Sequence, residues 1–176
     1  MADEDIKIAG FPAKKPEPES DYAIHSRNGN IQKAKLLGAA IAERTVSAAA
    51  LSWDEEHEDS FGLKLQRGIL LAFAAVVSVE SAVPSGTLCD VIKQAFYEEL
   101  GRDDPQLYKE TTESGAFSFY YLAYRRGIEI ERRVGQTFAM LCSHDGDPVY
   151  QEIGETLYCW MCSKVKKELG AAAFVL

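Results

Sequence analysis

The sequence predicts an all-α protein. It is expected to form a single bundle of about five to seven helices around a central apolar helix at about 60–82. Residues 1–20 form an extended N-terminal arm in this reading, and residues 21–176 form the bundle. Three observations carry it. From Gly68 to Val79 the chain reads GILLAFAAVVSV, apolar at every helical position, and a helix apolar all round is buried in a core or a membrane. Segments on both sides repeat their apolar residues at helical spacing. No pair of alternating segments suggests paired strands.

A membrane span takes ~20 apolar residues. The run here is much shorter, with Arg67 before it and Glu80 after it, so a core position is expected. A buried strand is the rival, but the element exceeds the ~4–8 residues of a strand and contains Ala72, Ala74 and Ala75. Asp59 or Ser60 is placed to cap the helix. Pro84 stops it, because the residue before a proline avoids helical angles.

The chain has 176 residues, 47% hydrophobic, with net charge −8. A domain of this length buries ~70% of its unfolded surface. The negative charge disfavours nucleic-acid binding, which needs concentrated positive surface. MADEDIKIAGF has no basic stretch followed by an apolar run, so no signal peptide is expected. Cys89, Cys142, Cys159 and Cys162 fall mostly inside expected helices. Free thiols of that kind suit a reducing cytoplasm, and a cytoplasmic protein is expected.

In order along the chain, Ile6, Ile8 and Phe11 stand among acidic residues ahead of KKPEPES. Prolines there favour an extended arm. Those three apolar residues are its expected anchors, on the protein's own body or on a partner subunit. Ser20 or Asp21 starts a short turn that Asn28 and Gly29 close. Asn30 is expected to cap a long helix reaching Trp53, with Ile31, Ala34, Leu37, Ile41, Ala48 and Leu51 inward. Its small residues, Gly38 among them, are expected to bring it directly against the central helix.

Ser85 or Thr87 caps the next helix, which Gly101 is expected to end. Asp104 and Pro105 open a short one, as cap and first helical residue. From Ser114 to Ser143 the apolar residues recur at about three and a half positions, which predicts one long helix kinked at Gly127, with two helices parted at that glycine as the alternative. SHDGDP is a turn. Asp147 caps the last helix, which Gly170 is expected to stop. The tail AAAFVL is apolar enough to dock.

Several groups invite chemistry. Cys159 and Cys162 have redox spacing, but a low-pKa thiol belongs at a helix N-terminus, and Cys159 lies eleven residues beyond Pro148. That is roughly 16 Å along the helix, which also keeps it from sharing a zinc ion with Cys142 and His144. Glu55 and Glu58, and Glu152 and Glu155, are three apart. Two such pairs on facing helices can hold magnesium or manganese through oxygen. They motivate an alternative reading, a metal-dependent hydrolase of a phosphorylated small molecule. A solvated acidic face or helix-cap charge accounts for them more simply and is the favoured reading.

Glu80 ends the apolar helix in line with Phe73 and Val76. A buried unpaired carboxylate is costly, so it is expected to meet solvent or one of Arg125, Arg126, Arg132 and Arg133. FSFYYLAYRR sets aromatics beside cations. If it lines a pocket between helices, the ligand-binding set is Glu80, Tyr120, Tyr121, Tyr124 and Arg125. No catalytic constellation passes its geometric requirements, while the arm, the apolar tail and the aromatic stretch offer surfaces for contact. The leading expectation is therefore a non-catalytic helical protein that assembles with itself or another protein, without a cofactor.

Overall fold

A computed structural model describes residues 19–51 and 61–175. Among them are eight helices: α1 Asp21–Arg27, α2 Asn30–Ala49, α3 Phe61–Ala82, α4 Gly86–Asp103, α5 Pro105–Glu113, α6 Ala116–Arg125, α7 Ile130–Leu141 and α8 Pro148–Ala172. The all-α bundle expected from the sequence is what forms, with more and shorter helices than expected.

α3 is the axis of the fold. By length and composition it is apolar enough to cross a membrane, yet 72% of its apolar window is buried inside the protein. No residue from Ile69 to Val79 is more than 4% exposed. α2, α4, α5, α6, α7 and α8 all touch it, as a helix without a polar face requires. The continuous burial ends at Val79, Glu80 to Ala82 are exposed, and Pro84 follows the helix end at Ala82.

The caps follow side-chain chemistry. Ser20 Oγ accepts from Ala23 N at 3.3 Å, Ser85 Oγ from Leu88 N at 3.4 Å, Asp104 Oδ1 from Leu107 N at 2.9 Å and Asp147 Oδ1 from Val149 N at 2.9 Å. Each satisfies a free amide of a first turn. Asn30 breaks the pattern. Gly29, with φ +75°, takes the cap position of α2, and Asn30 becomes a fully buried helical residue. Its amide instead grips the tail: Nδ2 donates to Val175 O at 2.6 Å, and Oδ1 accepts from Val175 N at 3.0 Å. Lys33 Nζ donates to Ala173 O at 2.8 Å. The apolar tail is thereby held as a strap across the start of α2.

α2 ends at Ala49 rather than Trp53. Arg67, 1% exposed on the central helix, donates to Ala49 O from Nε at 3.0 Å and from Nη2 at 2.6 Å. A buried guanidinium on the last carbonyls of a helix satisfies both itself and the negative helix end. Leu51, expected inside, lies past that end and is 64% exposed.

Gly38 does not serve the α2–α3 contact alone. A methyl added there would overlap the carbonyl oxygen of Ile92 and come within 2.8 Å of Ala95 Cβ. The closest approach of α2 is therefore to α4. A second close crossing joins α7 to α8, where a Cβ on Gly154 would stand 2.9 Å from Gly135 Cα and 2.7 Å from Phe138 Cβ.

Three expected boundaries move. α4 runs through Gly101 to Asp103, and the ring of Tyr108 lies over the missing side chain. α8 runs through Gly170 to Ala172. Residues 114–143 form two helices, not one, because Gly127 (φ +70°) and Glu129 (φ 50°) both take left-handed angles. Such angles end a helix of L-residues.

Candidate docking site

α6 has two faces, and its sequence separates them by helical offset. Phe117, Tyr120, Tyr121 and Tyr124, at i, i+3, i+4 and i+7, turn inward on Phe73. Tyr120 stacks on that ring at 5.2 Å between centroids. Tyr121 meets it edge-on at 5.1 Å, Phe117 at 5.8 Å and Tyr124 at 6.2 Å. Offset and edge-on pairs of this kind add ~0.5–1.5 kcal/mol beyond burial.

The five residues set out as a ligand-binding group therefore serve different ends. Tyr120 is fully buried, and its hydroxyl has no hydrogen-bond partner among the described residues. Burial holds that hydroxyl well above its usual pKa. Tyr121 Oη donates to Glu80 Oε2 at 3.3 Å, and burial with the nearby carboxylate also raises it. Glu80 reaches the surface, where its partner is Lys93 of α4, Nζ to Oε1 at 3.0 Å. The expected arginine partners do not reach it, because α4 runs beside the end of α3 while the arginines gather beyond the end of α6. Tyr97, next to this pair, is pushed up to about 12 by burial and then by the Glu80 charge. Tyr124 is half-buried and Arg125 is exposed. Phe73 fills the space between these side chains.

Glu55 and Glu58 lie outside the described residues, as do Ile6, Ile8 and Phe11. Of the second glutamate pair, Glu152 is exposed and Glu155 lays its Cγ over Gly135. Among the described residues no three His, Cys, Asp or Glu side chains converge on a point that could hold a metal. The cysteines are free thiols, with Cys159 exposed and Cys142 half-buried. Burial pushes the Cys142 thiol up to about 12, which keeps it protonated and a poor nucleophile. His144 stacks on Tyr150 at 3.7 Å instead of facing a cysteine.

The outward face of α6 meets α7 in an open groove of about 270 Å³. Phe119, Leu122 and Met140 form its apolar surface, 48%, 63% and 41% exposed. Arg126 and Arg133 stand at the end where the two helices connect, and Asp145 at the other. Arg126 has no carboxylate partner among the described residues. Arg133 Nε donates to Ile128 O at 3.0 Å, and among the described residues its side chain makes no ion pair. The groove is open and below the ~300–1,000 Å³ of small-molecule sites. Single exposed apolar residues are ordinary; several lining one concavity are not.

These groove residues were missed because FSFYYLAYRR reads as one aromatic block. The available signal was the offset of Phe119, Leu122 and Arg126 from the inward set by one or two positions. A further concavity of about 210 Å³ lies among Gln66, Cys142, His144 and Tyr150.

No protein-family model matches the chain, and comparison with curated proteins and with solved structures finds no match.

Proposed function

We propose that this chain is a non-catalytic helical module that works by protein–protein contact, and that the α6–α7 groove is its docking face. The observation that supports the reading is the line of Phe119, Leu122 and Met140, left in solvent on a protein that buries Ile69–Val79 of its central helix to 4% exposure or less. Aromatic and methionine side chains next to arginine are the composition of interface centres. Nothing in their packing requires that exposure, since α6 already has a separate inward face.

The test is sedimentation velocity and lysate pull-down of the full-length protein beside Leu122→Glu. The native protein is expected to self-associate or to retain a partner, and Leu122→Glu to lose that species. A native protein that is monomeric and retains nothing, or a variant that behaves like it, removes the reading.

A further inference from the structure

We propose that the α6–α7 groove of one copy receives the outward face of α8 from a second copy. The inference rests on the docking reading above and names what docks. Charge selects the two surfaces. Five surface concavities of the described residues differ in sign. Three are neutral in sum. The α6–α7 groove, with Arg126 and Arg133 against Asp145, is positive. The fifth is negative: it follows α8 past Val149, Glu152, Ile153, Thr156 and Leu157, with a volume of about 390 Å³, and Glu152 is the one charge among those residues. Glu152 is exposed and makes no ion pair among the described residues, just as Arg126 and Arg133 make none. The unmatched charges of the two surfaces are therefore opposite.

The apolar residues around those charges fall in matching order. α8 makes its core contacts through Gly154, Tyr158, Met161 and Val165, which leaves Val149 60% exposed and Ile153 and Leu157 half-buried. Along this face the order is Val149, Glu152, Leu157: apolar, acidic, apolar. Along the groove Ile128, 69% exposed, comes first, and its carbonyl holds Arg133 at 3.0 Å. Arg126 and Arg133 follow, then Leu122 and Phe119. Glu152 and Leu157 are five residues apart, about 7.5 Å at the rise of a helix. Arg126 lies about 6 Å from Leu122 and about 10 Å from Phe119 by the same rise. With Glu152 over the arginines, Leu157 falls between Leu122 and Phe119, and Val149 falls on Ile128. The incoming helix then runs antiparallel to α6, seated between two helices as amphipathic helices sit in apolar grooves. Groove and α8 face are different patches of one chain, so the contact is head-to-tail. A copy with a spoiled groove can still donate its α8, and a copy with a spoiled α8 can still receive one.

Complementation in sedimentation velocity of the full-length protein tests this. Leu122→Glu spoils the groove and keeps α8, whereas Glu152→Lys spoils α8 and keeps the groove. The native protein is expected to assemble, each variant alone to sediment as a single chain, and their equimolar mixture to form a species of two chains. A mixture that stays monomeric overturns the proposal, with circular dichroism showing both variants folded. Assembly of Glu152→Lys at the native level overturns it too; if Leu122→Glu is then monomeric, the docking face stands and α8 is not its occupant. A monomeric native protein also overturns it, and the docking face then stands only where Leu122 governs retention of another partner. Photo-crosslinking gives a readout that needs no disabled variant. With 4-benzoylphenylalanine in place of Val149, adducts at twice the chain mass on Ile128 or its neighbours in the groove support the proposal. Adducts elsewhere, or none, overturn it.

Discussion

The α2–α4 seam and the α6–α7 groove are built from neighbouring helices with similar apolar content, and they end in opposite states. At the seam Gly38 removes a side chain, so the backbone of α2 rests on the carbonyl of Ile92 and the Cβ of Ala95. Leu37, Ile41, Ile92 and Phe96 are buried as a result. At the groove the two helices splay, and Phe119, Leu122 and Met140 remain wet. The two regions differ in what holds the helices apart. Small residues permit close approach, and packing then closes over the larger ones. α6 has Ala116 and Ala123 buried, and Ala123 forms part of the groove floor, while the larger Phe119 and Leu122 stand at its rim. A closed seam stabilises the fold; an open one leaves a surface that another segment can fill.

The largest expected effect lies where α6 meets the core. Phe73→Ala removes the ring on which four aromatic side chains converge. Truncating a fully buried phenylalanine costs ~3–5 kcal/mol, and ~1 kcal/mol lowers Tm by about 2–4 °C at this size. Thermal unfolding followed at 222 nm is expected to show a fall of roughly 10 °C or more. A much smaller loss would mean that α6 does not pack as described, and the distinction between its two faces would fail.

Gly38→Ala comes next and tests the seam itself. The added methyl meets backbone at Ile92, which cannot move aside as a flexible side chain can. Overpacking of this kind costs ~1–3 kcal/mol, against the ~1 kcal/mol that alanine normally gains over glycine in a helix. Net destabilisation in urea titration is the expected sign. A more stable variant would show that α2 and α4 are further apart than the crossing requires.

These two positions also show how far sequence reasoning reaches. The burial of Ile69–Val79 was legible because a run apolar on every side admits one environment. The caps at Ser85, Asp104 and Asp147 were legible because the hydroxyl or carboxylate needs only its own backbone two or three residues on. Gly38 was legible as a point of close approach, but smallness does not say which helix arrives. Asn30 was misread for the same reason. Its preference for a cap is local, whereas the backbone it grips, at Val175, lies 145 residues away, beside a shorter-range bond to His25. The break at Gly127 was visible, but the turn also depends on Glu129 accepting φ 50°, which no residue preference announces. In the candidate site, Glu80 was legible as a paired carboxylate and Lys93 was not. Phe119 and Leu122 were present in the stretch singled out, but the pattern could not say which offset faces in.

Tyr120→Phe has a smaller effect with the opposite sign. The hydroxyl is buried without a partner among the described residues, and an unsatisfied buried polar group costs ~1–3 kcal/mol. Its removal leaves the ring on Phe73 unchanged. The variant is expected to gain about 1 kcal/mol, read as a higher urea midpoint at an unchanged slope. A loss would reveal a partner for the hydroxyl and make the inner face of α6 more than packing.

The smallest expected change in stability belongs to the groove, and it separates the two regions most directly. Leu122 is 63% exposed, so Leu122→Glu removes no core contact. Surface changes of that kind stay within about ±0.5 kcal/mol. A carboxylate beside Arg126, four residues on, adds a favourable helical pair of ~0.2–0.5 kcal/mol. The isolated chain should therefore unfold where the native chain does, within about 2 °C. The seam variants change stability by their own packing, whatever the protein is bound to. The groove variant does so only through whatever leaves the groove, so any excess destabilisation should grow with protein concentration if a second copy fills it. A large loss at every concentration would place Leu122 in the core and erase the difference between the two helix pairs.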